Sequence, residues 1–156
     1  MCDKNFVIMK DNAISDQKSY IIIADDDRDD QELLEAALTE LNFPLQIDMA
    51  RDGVDLLEQL KLNSKKTRAF PSLIILDINM PRKNGVEVLK EIKSDSSFRH
   101  IPVIMYSTSP NNEAKTGCYA LGASLYIRKP ASHHELNEVA KTIQDLWMEV
   151  ARTSVV

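Results

Sequence analysis

Cysteine is nearly absent from this chain. Cys2 and Cys118 are the two among 156 residues, and neither has a second cysteine or a histidine at ligand spacing, so reduced thiols are expected rather than a disulfide framework or a zinc site. No apolar run approaches the ~20 residues that a bilayer crossing needs. The opening MCDKNFVIMKDNAISDQ breaks its apolar residues with Asp and Lys, unlike the continuous core of a signal peptide. A cytoplasmic protein is expected, with no membrane partner. A basic excess is missing as well: 19 Lys and Arg face 24 Asp and Glu, for a formal net charge of −5, which argues against a nucleic-acid surface. Solenoid repeats and low-complexity segments are absent. What remains is an ordinary globular composition, 44% hydrophobic and 28% charged, at the length of one domain.

The stretch SLIILDINMPRKNG, residues 72–85, drives four apolar residues into Asp77 and then breaks the chain with Asn79, Pro81, Asn84 and Gly85. An apolar run without polar alternation reads as a strand covered on both faces, the pattern of a parallel sheet. Asp77 then stands at its carboxyl end, facing a loop. Ahead of it, residues 1–17 lack a sustained period and read as a flexible extension. YIIIA, residues 20–24, is a first strand running into Asp25, Asp26, Asp27, Arg28, Asp29 and Asp30. From Gln31 the apolar positions Leu33, Leu34, Ala37, Leu38 and Leu41 fall at helical spacing until Phe43-Pro44. Leu45, Ile47 and Met49 alternate with polar neighbours as a more exposed second strand, and Asp52-Gly53 makes the turn to a second helix carrying Val54, Leu57 and Leu60. Residues 63–68 read as a polar loop.

Beyond Gly85, Val86, Leu89 and Ile92 mark a third helix. IPVIMY, residues 101–106, is a fourth strand leading to Ser107, Thr108, Ser109 and Pro110. A fourth helix follows from Asn111, with Gly122 closing it. SLYIR, residues 124–128, is a fifth strand ended by Lys129-Pro130. The last helix begins near Ser132, with Glu135 three residues on as a capping box, and sets Leu136, Val139, Ala140, Ile143, Leu146, Trp147 and Val150 on one face. Residues 152–156 read as a tail, leaving one domain over 18–151. Strand and helix alternate five times, which predicts an α/β domain with a five-stranded parallel sheet and helices on both faces.

In such a sheet the carboxyl ends of the strands share one edge. Strand one ends in Asp25 and Asp26, strand three in Asp77, strand four in Ser107 and strand five in Lys129. With the order 2-1-3-4-5 the reversal falls between strands one and three, and three carboxylates crowd one crevice. Such a group persists when protons or a cation neutralise it. Carboxylate oxygens, a backbone carbonyl and open water positions suit Mg²⁺, or Mn²⁺ in its place. An aspartate can itself accept a phosphoryl group as an acyl phosphate, with a cationic side chain on the equatorial oxygens. Lys129 supplies that charge and Ser107 a hydroxyl. The run of three aspartates also admits Asp26-Asp27 as the acidic pair, although a strand ending at Ala24 favours Asp25-Asp26.

IIIADDD, LIILDINMPRKNG, VIMYSTS and LYIRKP, in that order and spacing, closely resemble the receiver domain of two-component response regulators. The resemblance covers 20–150 and implies the flavodoxin-like receiver fold. It implies Asp77 as phosphoacceptor, Asp26 on the metal directly and Asp25 through water, and the Asn79 backbone carbonyl as a further ligand. Ser107 is implied to follow the phosphoryl group, Lys129 to pair with it, Tyr126 to be the switch aromatic, and the Lys129-Pro130 bond to be cis. The 63–70 loop weakly resembles that of small stand-alone receivers serving phytochrome-type and hybrid sensor kinases. The function so implied is that of a single-domain response regulator, a signalling domain rather than an enzyme acting on external substrates. A sensor histidine kinase or histidine phosphotransfer protein is the expected donor, and a downstream protein the target. No output domain is expected after Val150, so the output is expected to be a binding event. A homodimer through the face of helix four, strand five and helix five is also an expectation. The alternative from another class is a haloacid-dehalogenase-like Mg²⁺-dependent phosphatase that would use Asp25 and Asp27.

Overall fold

The computed structural model describes residues 20–42, 46–65, 70–108 and 111–153, with the backbone alone for 150–153. Five parallel strands form one sheet: β1 Tyr20–Ala24, β2 Gln46–Ala50, β3 Leu73–Asp77, β4 Val103–Ser107 and β5 Leu125–Arg128. Their order is β2-β1-β3-β4-β5, as expected. The helices between them are α1 Arg28–Glu40, α2 Gly53–Lys65, α3 Gly85–Ser94, α4 Asn112–Ala120 and α5 His133–Thr153.

The sheet is the middle of a three-layer sandwich, and its central strands are apolar on both faces for that reason. Ile22, Ala24, Ile74, Leu76, Val103 and Met105 point to one side, where Leu56, Leu60, Val88, Leu89 and Ile92 of α2 and α3 cover them. Ile21, Ile23, Leu73, Ile75 and Ile104 point to the other, against Leu34 and Leu38 of α1 and Ala140 and Ile143 of α5. β1, β3 and β4 are buried along their whole length, whereas β2 and β5 at the sheet's edges are partly exposed.

Several boundaries differ from the sequence reading. α1 begins at Arg28 rather than Gln31, because Asp27 takes the N-cap and accepts from the amides of Asp29 and Asp30. β4 begins at Val103 instead of Ile101, since Pro102 has no N–H to pair and Ile101 is turned back onto Phe98 by a 3.0 Å backbone bond. α2 runs through Asn63, which the sequence put in a loop; its side-chain amide donates to the Tyr20 hydroxyl at 3.0 Å and is buried there. α5 continues to Thr153, so 152–153 belong to the helix and not to the tail. Its start is as expected, with the Glu135 amide donating to Ser132 Oγ at 3.1 Å, although the Glu135 carboxylate reaches back to the amide of Ala131. Gly122 takes φ +103° at the end of α4. Its amide donates to Tyr119 and that of Ala123 to Cys118, the paired closure that a left-handed residue permits. The expected 1–17 extension with Cys2, the Phe43-Pro44 stop, residues 66–68, Ser109-Pro110, the side chain of Val150 and the end of the tail lie outside the described residues.

Candidate functional site

The carboxyl ends of β1, β3, β4 and β5 meet at one rim. Asp25 follows β1 directly, its amide donating to Ala50 O at 3.1 Å and its Oδ1 accepting from the amide of Asp27 at 2.9 Å. Asp77 is the last residue of β3, paired in register with Tyr106 on β4. Asp25, Asp26 and Asp77 each offer a carboxylate oxygen within 4.8 Å of the others. Asp25 and Asp77 are buried, while Asp26 faces solvent. Asp27 is spent on the α1 cap, with Oδ1 accepting at 3.0 and 3.3 Å. Asp25-Asp26 is thus the pair that clusters with Asp77, whereas Asp27 caps α1.

Lys129 enters from the end of β5, where its amide donates to Ser107 O at 2.8 Å. Its ammonium lies 2.7 Å from Asp25 Oδ2, 2.9 Å from Asp30 Oδ2 and 3.7 Å from Asp77 Oδ1. The Tyr106 ring stands beside it, 5.6 Å from centroid to nitrogen. Lys129–Pro130 is trans, against the expected cis form: no described residue has a cis bond. Trans is the intrinsically favoured isomer, and the four-carbon stem of lysine reaches the carboxylates from it. Ser107 is fully buried at the end of β4, one residue beyond the level of Asp77. Tyr126 is half-buried in mid-β5 and packs against the core on the α2–α4 side of the sheet. Asn79 is exposed in the loop two residues past Asp77.

That loop is built tightly. Ile78 O accepts from the amides of Met80 at 3.2 Å and Gly85 at 2.8 Å, and Asn84 caps α3 through the amide of Glu87 at 3.0 Å. A Cβ on Gly85 would lie 2.1 Å from Asp77 O, so glycine is required for α3 to start against the backbone of the candidate acceptor. Arg82, at φ +65°, spans to Asp52 through Nε at 3.2 Å, and its Nη2 also pairs with that carboxylate. The guanidinium holds the Asp52 carboxyl below its ordinary range. By sequence Asp52 is a turn residue, since an acid and an arginine 30 positions apart carry no local signal of pairing.

Electrostatically the site is short of positive charge. Burial and then the charge of Asp25 push the Asp77 carboxyl up to about 7, with Lys129 opposing. Burial raises Asp25 too, with the Lys129 hydrogen bond pulling it down. For Lys129, burial favours the neutral amine, yet its hydrogen bonds to Asp25 and Asp30 hold the ammonium above its usual range. One ammonium cannot neutralise this group, and its hard oxygen donors fit a divalent cation of the Mg²⁺ class. Three residues of this neighbourhood were not singled out from sequence. Asp30 looked like one more acid in a dipole-favoured first turn. Tyr106 read as strand core. Gln31 read as the helix start, yet it is buried and donates to Ile23 O at 3.0 Å and Ala50 O at 2.8 Å, tying α1 to β1 and β2 just below the acids.

Comparison with known proteins follows the same lines. The model of the response regulator receiver domain matches residues 21–141. The probable methanogenesis regulatory protein FilR2 of Methanothrix harundinacea is 30% identical over 128 residues, covering 82% of this chain and 83% of that protein. The Mn²⁺-bound form of response regulator Rcp1, a protein of Synechocystis, superposes with a TM-score of 0.76 at 29% identity, over 84% of this chain and 95% of that one. The phosphorylated cyanobacterial phytochrome response regulator RcpA gives 0.77 at 34% identity, over 84% and 94%.

Proposed function

The chain belongs to the response regulator receiver domain family, and on that premise we propose that Asp77 accepts a phosphoryl group from a phosphohistidine of a sensor histidine kinase or histidine phosphotransfer protein. The observation that carries this reading is the convergence of Asp25, Asp26, Asp77 and Lys129 at one rim of the sheet. A carboxylate oxygen of Asp77 bonds to phosphorus as the P–N bond of the donor breaks, and the released imidazole takes a proton from solvent. The product is an acyl phosphate. Water later attacks its phosphorus, the P–O bond to Asp77 breaks, and inorganic phosphate leaves with the carboxylate restored.

Asp25, Asp26, Asp77 and the Asn79 carbonyl are the groups that would hold Mg²⁺, or Mn²⁺. When bound, the cation supplies charge neutralisation for donor, acceptor and phosphoryl oxygens. Lys129 binds a phosphoryl oxygen through its ammonium, and Ser107 donates its hydroxyl to another. β3 holds the Asp77 carboxylate at the rim. Phosphorylation adds negative charge that draws Ser107 and Lys129 inward, frees Tyr126 to rotate, and alters the surface of α4, β5 and α5. A downstream protein reads that surface, and a homodimer across it fits the exposed Tyr119 and Met148 beside the edge strand. Light scattering that finds a monomer with and without a phosphoryl mimic would remove the dimer.

The central test is chemical. Acetyl phosphate with Mg²⁺ should add one phosphoryl group by mass, and Asp77→Asn should abolish it. Labelling of Asp77→Asn at the wild-type level defeats the assignment.

A further inference from the structure

The Lys129 ammonium has three N–H donors, and two of them are committed away from Asp77. At 2.7 and 2.9 Å, Asp25 and Asp30 are within hydrogen-bond range; Asp77, at 3.7 Å, is beyond it. The two partners differ in kind. Asp25 is almost fully buried and belongs to the carboxylate cluster that suits a cation. Asp30 comes from the first turn of α1, stands outside that cluster, and has a side chain 35% exposed. It borders an open cleft of about 470 Å³ that Leu33, Tyr106, Thr108 and Lys129 also line. Released from lysine, the Asp30 carboxylate can therefore be hydrated at once, whereas Asp25 cannot.

We propose that Asp30 is a positioning residue that competes with Asp77 for Lys129, restraining phosphorylation in the resting protein. This rests on the reading of Asp77 as the phosphoacceptor. As the phosphorus of the donor bonds to Asp77 and the donor's bond to phosphorus breaks, negative charge gathers on the phosphoryl oxygens. Lys129 is the one cationic side chain that contacts the Asp77 carboxylate among the described residues. Every share of it held by Asp30 is lost to that charge, and the Asp30 carboxylate itself repels an anionic donor. Neutralising Asp30 leaves Lys129 anchored by Asp25 and turned toward Asp77.

The test uses the full chain with acetyl phosphate and Mg²⁺, following the mass change with time. Asp30→Asn keeps an acceptor oxygen but removes the charge, and it should raise the initial rate by about 3- to 10-fold, a gain that shrinks as ionic strength rises. Beryllium fluoride, a non-covalent stand-in for the phosphoryl group, should bind Asp30→Asn more tightly by a similar factor in calorimetry. Asp29→Asn, equal in charge change but exposed and with no lysine contact among the described residues, should stay near wild type. A rate in Asp30→Asn equal to or below wild type overturns the competition, as does an equal gain in Asp29→Asn or unchanged beryllium fluoride affinity. If the wild-type chain takes up no phosphoryl group, the Asp77 reading itself has failed.

Discussion

Burial strips water from the Asp77 carboxylate while Asp25 stands beside it, so its proton is held up to about 7 even though Lys129 pulls the other way. The sign of the resulting pH dependence is unusual for an aspartate. Its unfolded value is about 3.9, so between there and 7 the folded chain binds the proton better than the unfolded one. The stability that Asp77 lends is fully present below the unfolded value and is lost as pH rises through 7. In metal-free buffer with chelator, Asp77→Asn should therefore be more stable than wild type at pH 8, by about 1–3 kcal/mol, and the difference should close near pH 4. Urea midpoints at the two pH values measure it; equal stabilities at pH 8 would mean that Lys129 fully offsets the burial. Residues of this kind were legible in sequence because each ends a strand, and strand ends are punctuated by composition. Asp30 and Arg82 were not, because their roles come from distant partners, Lys129 at 99 positions and Asp52 at 30.

At the scale of elements, the starts of α1 and α3 fix where the acids stand. Gly85 is the tightest of these joints: an added Cβ meets Asp77 O at 2.1 Å and Ile78 Cα at 2.9 Å. Both are backbone atoms and cannot turn aside. Gly85→Ala should cost about 1–3 kcal/mol or more and disturb the loop carrying Asn79. Gly117 is the opposite case, an exposed glycine in the middle of α4 whose Cβ would meet nothing within 4 Å. Gly117→Ala should stabilise by about 0.5–1 kcal/mol. Chemical denaturation of the two variants checks both signs at once, and a stable Gly85→Ala would show that α3 can shift without harm. Element type was readable throughout because burial on both faces leaves β1 apolar along its length and β3 apolar up to Asp77, and one-sided burial gives α5 its period. Boundaries were less so. Pro102 delays β4, the Asp27 cap advances α1, and α2 runs on to Lys65, with Asn63 bonded to Tyr20, into a polar stretch that reads as loop.

Across the whole molecule two sources of negative charge must be separated: the formal net charge of −5 and the concentrated group at the rim. The first is diffuse, so any salt screens it. The second is local, and a divalent cation bound there stabilises the folded state alone, because the unfolded chain does not bring β1 and β3 side by side. At a Mg²⁺ concentration about ten times its dissociation constant, that linkage corresponds to about 1.4 kcal/mol, or roughly 3–5 °C in melting temperature for a chain of this size. NaCl at matched ionic strength should produce less. Replacing Asp77 by Asn removes one of the three carboxylates and should reduce the Mg²⁺-specific rise, while Asp29→Asn changes net charge equally and should leave it intact. Calorimetric melts of the three proteins in Mg²⁺ and in matched NaCl distinguish the cases. If NaCl raises the wild-type melting temperature as far as Mg²⁺ does, the rim is not a cation site, and the effect is screening of the chain's overall charge.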